Sequence, residues 1–244
     1  MRNLFLSCLL ACLCAVTAQA QKCKVFVENL SLSYEGECRG DKADGKGKAA
    51  GLDTYEGQFK AGYPDGQGKY TWKTGDWFEG NWKKGQREGQ GSMHYRTAAG
   101  GDSLVTGFWK KDQYFGKFEK PFILLNQSSR VGTVKLSKNV GAKENDISVT
   151  ITSTSGGTAN PSQKASDAEA TAADQPKLKL TSVDMQKGNF IRLVQIDNSA
   201  RSTRTVVKTV DFPFKATFRI DDRHTVDIEF LEEGNYNVEI NILN

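Results

Sequence analysis

Residues 55–72 read Tyr55-Glu56-Gly57-Gln58-Phe59-Lys60-Ala61-Gly62-Tyr63-Pro64-Asp65-Gly66-Gln67-Gly68-Lys69-Tyr70-Thr71-Trp72. Tyr55 and Phe59 stand at even spacing around Gly57. Even spacing puts both rings on one face of an extended strand and Glu56 and Lys60 on the other. Ala61 to Asp65 reads as a turn, and Gly66-Gln67-Gly68 starts a returning strand with Tyr70 and Trp72 on one face. The stretch is a β-hairpin with an aromatic face and a charged face.

The hairpin recurs. Gly36, Gly57, Gly80 and Gly107 are each followed nine residues later by Gly45, Gly66, Gly89 and Gly116, and in three copies by Gly47, Gly68 and Gly91. The copies begin Tyr34-Glu35-Gly36-Glu37-Cys38, Tyr55-Glu56-Gly57-Gln58-Phe59, Phe78-Glu79-Gly80-Asn81-Trp82 and Val105-Thr106-Gly107-Phe108-Trp109. Self-similarity at this period signals a stacked repeat array. The first glycines lie 21, 23 and 27 residues apart, so the extra residues of the last interval, Arg96 to Ser103, are expected to loop out. A glycine between two large aromatics leaves room for a ring from the neighbouring strand. The Gly-x-Gly pair permits backbone conformations that a Cβ resists.

Tyr-Glu-Gly-x-aromatic, followed by Asp/Glu-Gly-x-Gly and a further aromatic, resembles the MORN repeat. Asp44-Gly45-Lys46-Gly47, Asp65-Gly66-Gln67-Gly68 and Glu88-Gly89-Gln90-Gly91 carry the resemblance best, which extends over residues 34–118. The fourth copy is degenerate: Thr106 replaces the acid and Phe118 stands in place of the third glycine. Terminal repeats that cap an array are expected to be atypical. The resemblance implies an elongated antiparallel sheet used as a scaffold, a dimerisation surface or a lipid contact. Some such arrays are attached to SET-domain methyltransferases or phosphoinositide kinases, and residues 121–244 show no sign of either.

Residues 1–20 read as a secretory signal: Arg2, an apolar run from Leu4 to Val16, and Ala18-Gln19-Ala20 as a small-x-small cleavage site. The run is too short for a membrane span. A rival reading is a lipobox at Leu9-Leu10-Ala11-Cys12, with Cys12 lipidated and membrane contact through that anchor. Cleavage after Ala20 removes Cys8, Cys12 and Cys14 and leaves Cys23 and Cys38, an even pair that reads as one disulfide in an exported protein. Cys38 occupies the position of the inward aromatic in its copy. A bridge to Cys23, on a preceding strand expected over Lys24 to Glu28, would close that end of the array covalently.

From Phe122 the glycine period vanishes. Short β-like runs appear near Val131–Leu136, Asp146–Thr152, Lys177–Asp184, Phe190–Ile196, Thr205–Val210, Phe214–Ile220, Thr225–Leu231 and Tyr236–Ile242. Such a series favours a β-sandwich, immunoglobulin-like in architecture, without the cysteine–tryptophan core of antibody domains. Ser153 to Gln175 is low-complexity and reads as a loop inside the sandwich, with an interdomain linker as the alternative and a helical turn at Asp167 to Ala173. The expected organisation is all-β: a signal peptide at 1–20, the repeat array at 21–120, and the sandwich at 121–244.

The net charge of +4 is too mild to argue for nucleic acid. Only two histidines are present, His94 expected to face solvent and His224 in the turn Asp221-Asp222-Arg223-His224, so no catalytic or metal residues are assigned. That acidic turn has too few oxygen ligands in sequence for a good calcium site. No phosphate loop or cofactor motif is found, because Gly66-Gln67-Gly68 opens a strand and not a helix. Glu35, Glu56 and Glu79 face a second ladder of Arg39, Lys60, Lys83 and Lys110, which reads as cross-strand pairing on a solvated face. The aromatic face remains: Tyr55, Phe59, Tyr70, Trp72, Phe78, Trp82, Tyr95 and Trp109 are core residues or, where exposed, a partner-binding strip. The expectation is an exported, non-enzymatic scaffold of the cell envelope that binds a protein partner or itself, with glycan binding through the aromatic strip as the alternative.

Overall fold

The computed structural model describes residues 23–96, 101–154, 178–197 and 202–243. The expected signal segment, most of the low-complexity stretch and its helical turn lie outside them. The described chain is all-β, with one sheet for the repeats and a second for the rest.

The repeats form an eight-stranded antiparallel sheet in strict sequence order. Its strands are β1 (Ser33–Arg39), β2 (Lys42–Ala50), β3 (Thr54–Lys60), β4 (Tyr63–Thr71), β5 (Trp77–Lys83), β6 (Gln86–Arg96), β7 (Asp102–Lys110) and β8 (Gln113–Gly116). Within copies two to four the turns are Ala61-Gly62, Lys84-Gly85 and Lys111-Asp112, all at positive φ. That is the two-residue hairpin geometry whose twist matches the flanking strands. The turns are shorter than the sequence suggested, because the strands resume at Tyr63 and Gln86 and run through the Gly-x-Gly pairs. β6 likewise continues to Arg96, where a loop was expected to begin.

Register aligns the glycines into one row across seven strands: Gly36, Gly47, Gly57, Gly68, Gly80, Gly91 and Gly107. Aromatic rings lie over this row. Tyr55 covers Gly57 and Gly68, Phe78 covers Gly80 and Gly91, and Tyr34 covers Gly36 and Gly47. Gly47, Gly68 and Gly91 receive the ring from the neighbouring strand, whereas Gly36, Gly57 and Gly80, which stand two residues after it, are covered by a ring of their own strand. In the fourth hairpin Val105 offers no ring, and Tyr114 of β8 fills the space at Gly107. The ladder register shifts at Gly36/Cys38, Gly57/Phe59, Gly80/Trp82 and Phe108/Trp109. Such bulges bend a strand, and here the bend curls each hairpin around its own rings.

The chain before β1 measures that bend. Lys24 N–H donates to Asp41 O at the first turn (2.7 Å) and Phe26 N–H to Gly62 O at the second (2.9 Å). A Val27 methyl lies 3.6 Å from where a Cβ on Gly85 would stand, at the third turn. Asn29, two residues on, accepts from Asp53 N–H at the opposite end of the hairpins (3.1 Å). Two residues span at most about 7 Å, whereas a straight seven-residue strand is about 23 Å long. The sheet is therefore a trough whose two rims approach each other, and residues 23–32 are a strap along its opening. The expected strand over Lys24 to Glu28 is absent; a single bridge from Lys24 to Lys42 and a 3-10 turn at Glu28–Leu30 stand in its place.

The second sheet contains β9 (Phe122–Gln127), β10 (Val131–Asn139), β11 (Ile147–Thr154), β12 (Leu180–Asp197), β13 (Ser202–Ile220), β14 (His224–Phe230) and β15 (Asn235–Leu243). The hydrogen-bonded order is β10-β15-β11-β13-β14-β9, with β12 along the other edge of β13. β11 and β15 run parallel. The first half of β13 pairs with β11 and its second half with β14, while β12 follows it throughout. β10 and β14 come within 8 Å although four places apart, so the sheet folds over one core that unites Val149, Val207, Phe218, Ile228, Phe230, Tyr236 and Ile240.

This differs in detail from the expected separate strands. Gly188 and Pro213 broke the β pattern in the sequence, yet β12 and β13 run through them, with ladder shifts flanking Gly188. β9 was missed because Phe122-Ile123-Leu124-Leu125 does not alternate. The low-complexity segment joins β11 to β12, two strands of the same sheet. His224 opens β14 as a buried residue. Asp221 and Asp222 accept from Lys179 N–H and Thr181 Oγ1, tying their turn to β12.

Candidate functional site: the mouth of the repeat trough

Tyr55, Phe59, Tyr70, Phe78, Trp82 and Trp109 are buried with Val25 and Leu30 of the strap. Their rings meet edge-on in series: Tyr55 on Phe59 at 5.0 Å, Tyr55 on Trp82 at 5.6 Å, Phe78 on Trp82 and on Trp109 at 5.3 Å. Each indole is also pinned one copy back. Trp82 Nε1 donates to Gly68 O (3.1 Å) and Trp109 Nε1 to Gly91 O (3.4 Å). Six of the eight candidate binding aromatics are thus core, held by ring packing and indole hydrogen bonds. Burial pushes the Tyr55 and Tyr70 hydroxyls up from their ordinary pKa of 10, keeping both neutral.

Trp72 and Tyr95 are the two that remain accessible, Trp72 half-buried and Tyr95 40% exposed. They line an opening of about 440 Å³ together with Asn29, Leu52, Asp53, Thr74, Asp76, Arg87 and Met93. Leu52 is 57% exposed at its edge. Asp53 anchors the strap there, accepting from Asn29 Nδ2 (3.0 Å), Tyr70 OH (2.7 Å) and Lys73 N–H (2.9 Å). Asp76 accepts from Arg96 N–H (2.7 Å) and Thr74 Oγ1 (2.8 Å). Arg87 forms the far wall. Its guanidinium lies 4.5 Å over the Trp109 ring and donates to Asp112 O at 2.7 Å. Sequence reasoning did not single out Leu52, Asp53 or Arg87, since only the curl of the trough brings them beside Trp72.

The outer face carries the charge ladder with partners other than those expected. Register places Glu35, Lys48, Glu56, Lys69 and Glu79 side by side, and Lys48–Glu56 and Lys69–Glu79 approach to 3.8 and 3.9 Å. The partners come from the returning strands, while Arg39 pairs with Asp44. Beside the ladder Trp77 stacks flat on His94 at 5.1 Å, with Lys69 Nζ 4.4 Å above Trp77. His94 is therefore covered, not free in solvent. A disulfide joins Cys23 to Cys38; Cys23 is buried, but Cys38 is exposed at the array edge where an inward residue was expected.

Among the described residues no three His, Cys, Asp or Glu side chains gather as metal ligands. No described helix is long and apolar enough to cross a membrane. Among curated proteins none matches the chain. The family model of the MORN repeat matches residues 34–49, 55–77 and 78–97, the first three hairpins. The fourth hairpin lies past the match, yet Gly107 continues the glycine row and Trp109 repeats the indole bond. Residues 34–97 are MORN repeats, of a kind that generally serves protein and membrane interaction.

Proposed function

We propose that the chain is an exported, non-enzymatic binding and scaffolding protein whose repeat trough offers a protein-interaction surface at its mouth. The observation that carries this reading is the placement of Trp72, Tyr95 and Leu52 in one opening on a closed, ring-packed frame. A rigid frame with a few accessible aromatics suits binding, because little side-chain entropy is lost on contact. The carboxylates in the opening are occupied by structural hydrogen bonds, which favours recognition over proton transfer. Export rests on the leader-like residues 1–20 and the Cys23–Cys38 bridge.

The test is a photo-crosslinking residue at Tyr95 in the full chain, with one at Tyr63 on the turn side as control. A protein adduct from position 95 that disappears with Trp72→Ala supports the reading. Equal labelling from both positions removes the mouth as the site. The polar groups beside Trp72 favour a glycan as second reading: a glycan that shifts tryptophan fluorescence, with no protein adduct, would put it first. A mature N-terminus at Gln21 supports export by cleavage, and a retained leader opposes it.

A further inference from the structure

The strap grips the second hairpin at two points. Phe26 N–H donates to Gly62 O on the turn rim (2.9 Å). Three residues later Asn29 meets Asp53 on the opposite rim, accepting its N–H (3.1 Å) and donating Nδ2 to its carboxylate (3.0 Å). Val25 and Leu30, on either side, are buried in the trough. Both anchors recur 23 residues on, as Gly85 and Asp76 of the third hairpin. The bonding around them recurs too. Gly62 N–H donates to Ala43 O as Gly85 N–H does to Pro64 O, and Lys73 N–H donates to Asp53 as Arg96 N–H does to Asp76. Trp72 and Tyr95 stand in the same relation.

At the third hairpin these anchors have no strap. The second residues of the four turns, Asp41, Gly62, Gly85 and Asp112, present a row of carbonyls. The first two accept from Lys24 and Phe26 N–H and the fourth from Arg87 Nη2, whereas Gly85 O accepts from no described residue. Asp53 is buried under Asn29. Asp76 has the exposed Thr74 hydroxyl in that place, donating to its Oδ2 (2.8 Å) and accepting its N–H at 3.4 Å. Tyr95 and Met93 line the opening between the two anchors.

We propose that the mouth takes an extended segment of a protein partner that repeats the docking of the strap one hairpin further along. The segment donates a backbone N–H to Gly85 O, sets an Asn three residues later on Asp76 in place of the Thr74 hydroxyl, and follows it with an apolar side chain against Met93 and Tyr95. It rests on the mouth being a protein-interaction surface and states what the partner presents there. Main-chain bonds to a fixed row of acceptors, with a pocket for a side chain, are how extended peptides are recognised. The lining sets Asp53 and Asp76 against Lys73 and Arg87, so it suits a segment of low net charge.

The test adds to the full chain a labelled synthetic peptide of strap residues 24–30, with a photoreactive group in place of Leu30. Binding by fluorescence anisotropy is expected, with labelling of the third hairpin near Tyr95. N-methylation of the Phe26 amide and Asn29→Ala, both within the peptide, should each weaken binding about tenfold, the worth of one hydrogen bond. Asp76→Ala in the chain should do the same while circular dichroism stays that of the wild type. No binding, binding indifferent to both peptide changes, or labelling of the second hairpin by displacement of the strap overturns the proposal. A protein adduct from position 95 that excess peptide leaves intact also overturns it, while keeping the mouth as a protein site. Absence of any such adduct removes the mouth and this docking together.

Discussion

A methyl group added at Gly68 would enter the hydroxyl end of the Tyr55 ring, which is fully buried and bonded to Gln58 O at 3.0 Å. The ring cannot withdraw, so Gly68→Ala is expected to cost about 1–3 kcal/mol, as overpacked cores do, read from the urea midpoint. Two residues earlier the constraint is different, since Gly66 sits at φ +106°, where a side chain strains the backbone. The sequence displays both as glycines of one ladder. Which is a backbone device and which a ring seat depends on the pairing register. For the same reason the aromatic face was legible as core or strip, but not which rings are enclosed: Tyr55 and Phe59 share a strand face in any sheet, whereas the bend that encloses them comes from bulges.

Between elements, the acid before each Gly-x-Gly reaches the next hairpin. Asp44 accepts from Ala61 N–H (3.0 Å), Asp65 from Lys84 N–H (3.0 Å) and Glu88 from Lys111 N–H (2.9 Å). Each donor is a left-handed turn residue whose amide has no ladder partner. Asp65→Ala should cost about 1 kcal/mol, the net worth of a typical hydrogen bond, because the bond is exposed to solvent, and should speed amide exchange at Lys84 above the other turns. Unchanged exchange there would remove the coupling role. The acid was visible as part of the repeat, but its partner lies in another copy and no local pattern points to it. In the second sheet, strands with clean alternation such as Val226–Phe230 were readable. β12 and β13 were each read as two pieces because glycine and proline interrupt patterns that tertiary pairing carries through.

Across the whole molecule, Glu232 fastens the end of the array to the second sheet. Its carboxylate accepts from Lys117 N–H at 2.7 Å and from Lys138 Nζ at 2.8 Å, and Lys138 also donates to Phe115 O at 2.9 Å. The Glu232 and Lys138 side chains are only 12% and 10% exposed. Glu232→Ala leaves that ammonium without its carboxylate and is expected to destabilise the protein by about 3 kcal/mol. Calorimetry should then resolve separate melting of the array and the second sheet; a single undiminished transition would show that the joint is held elsewhere.

The strap also sets a limit on growth. Repeats that stack in register can in principle multiply, each hairpin adding about 10 Å to the row. Here the contacts of Lys24, Phe26 and Val27 fall at the first, second and third turns in succession, and the chain then leaves for the opposite rim. The fourth hairpin is covered from the other side, by Arg87 and Tyr114. An inserted fifth copy would find neither cover, and its rings would face water. The leading segment acts as a gauge: it counts the hairpins it can reach, and the length of the array is written in ten residues that are not themselves repeats.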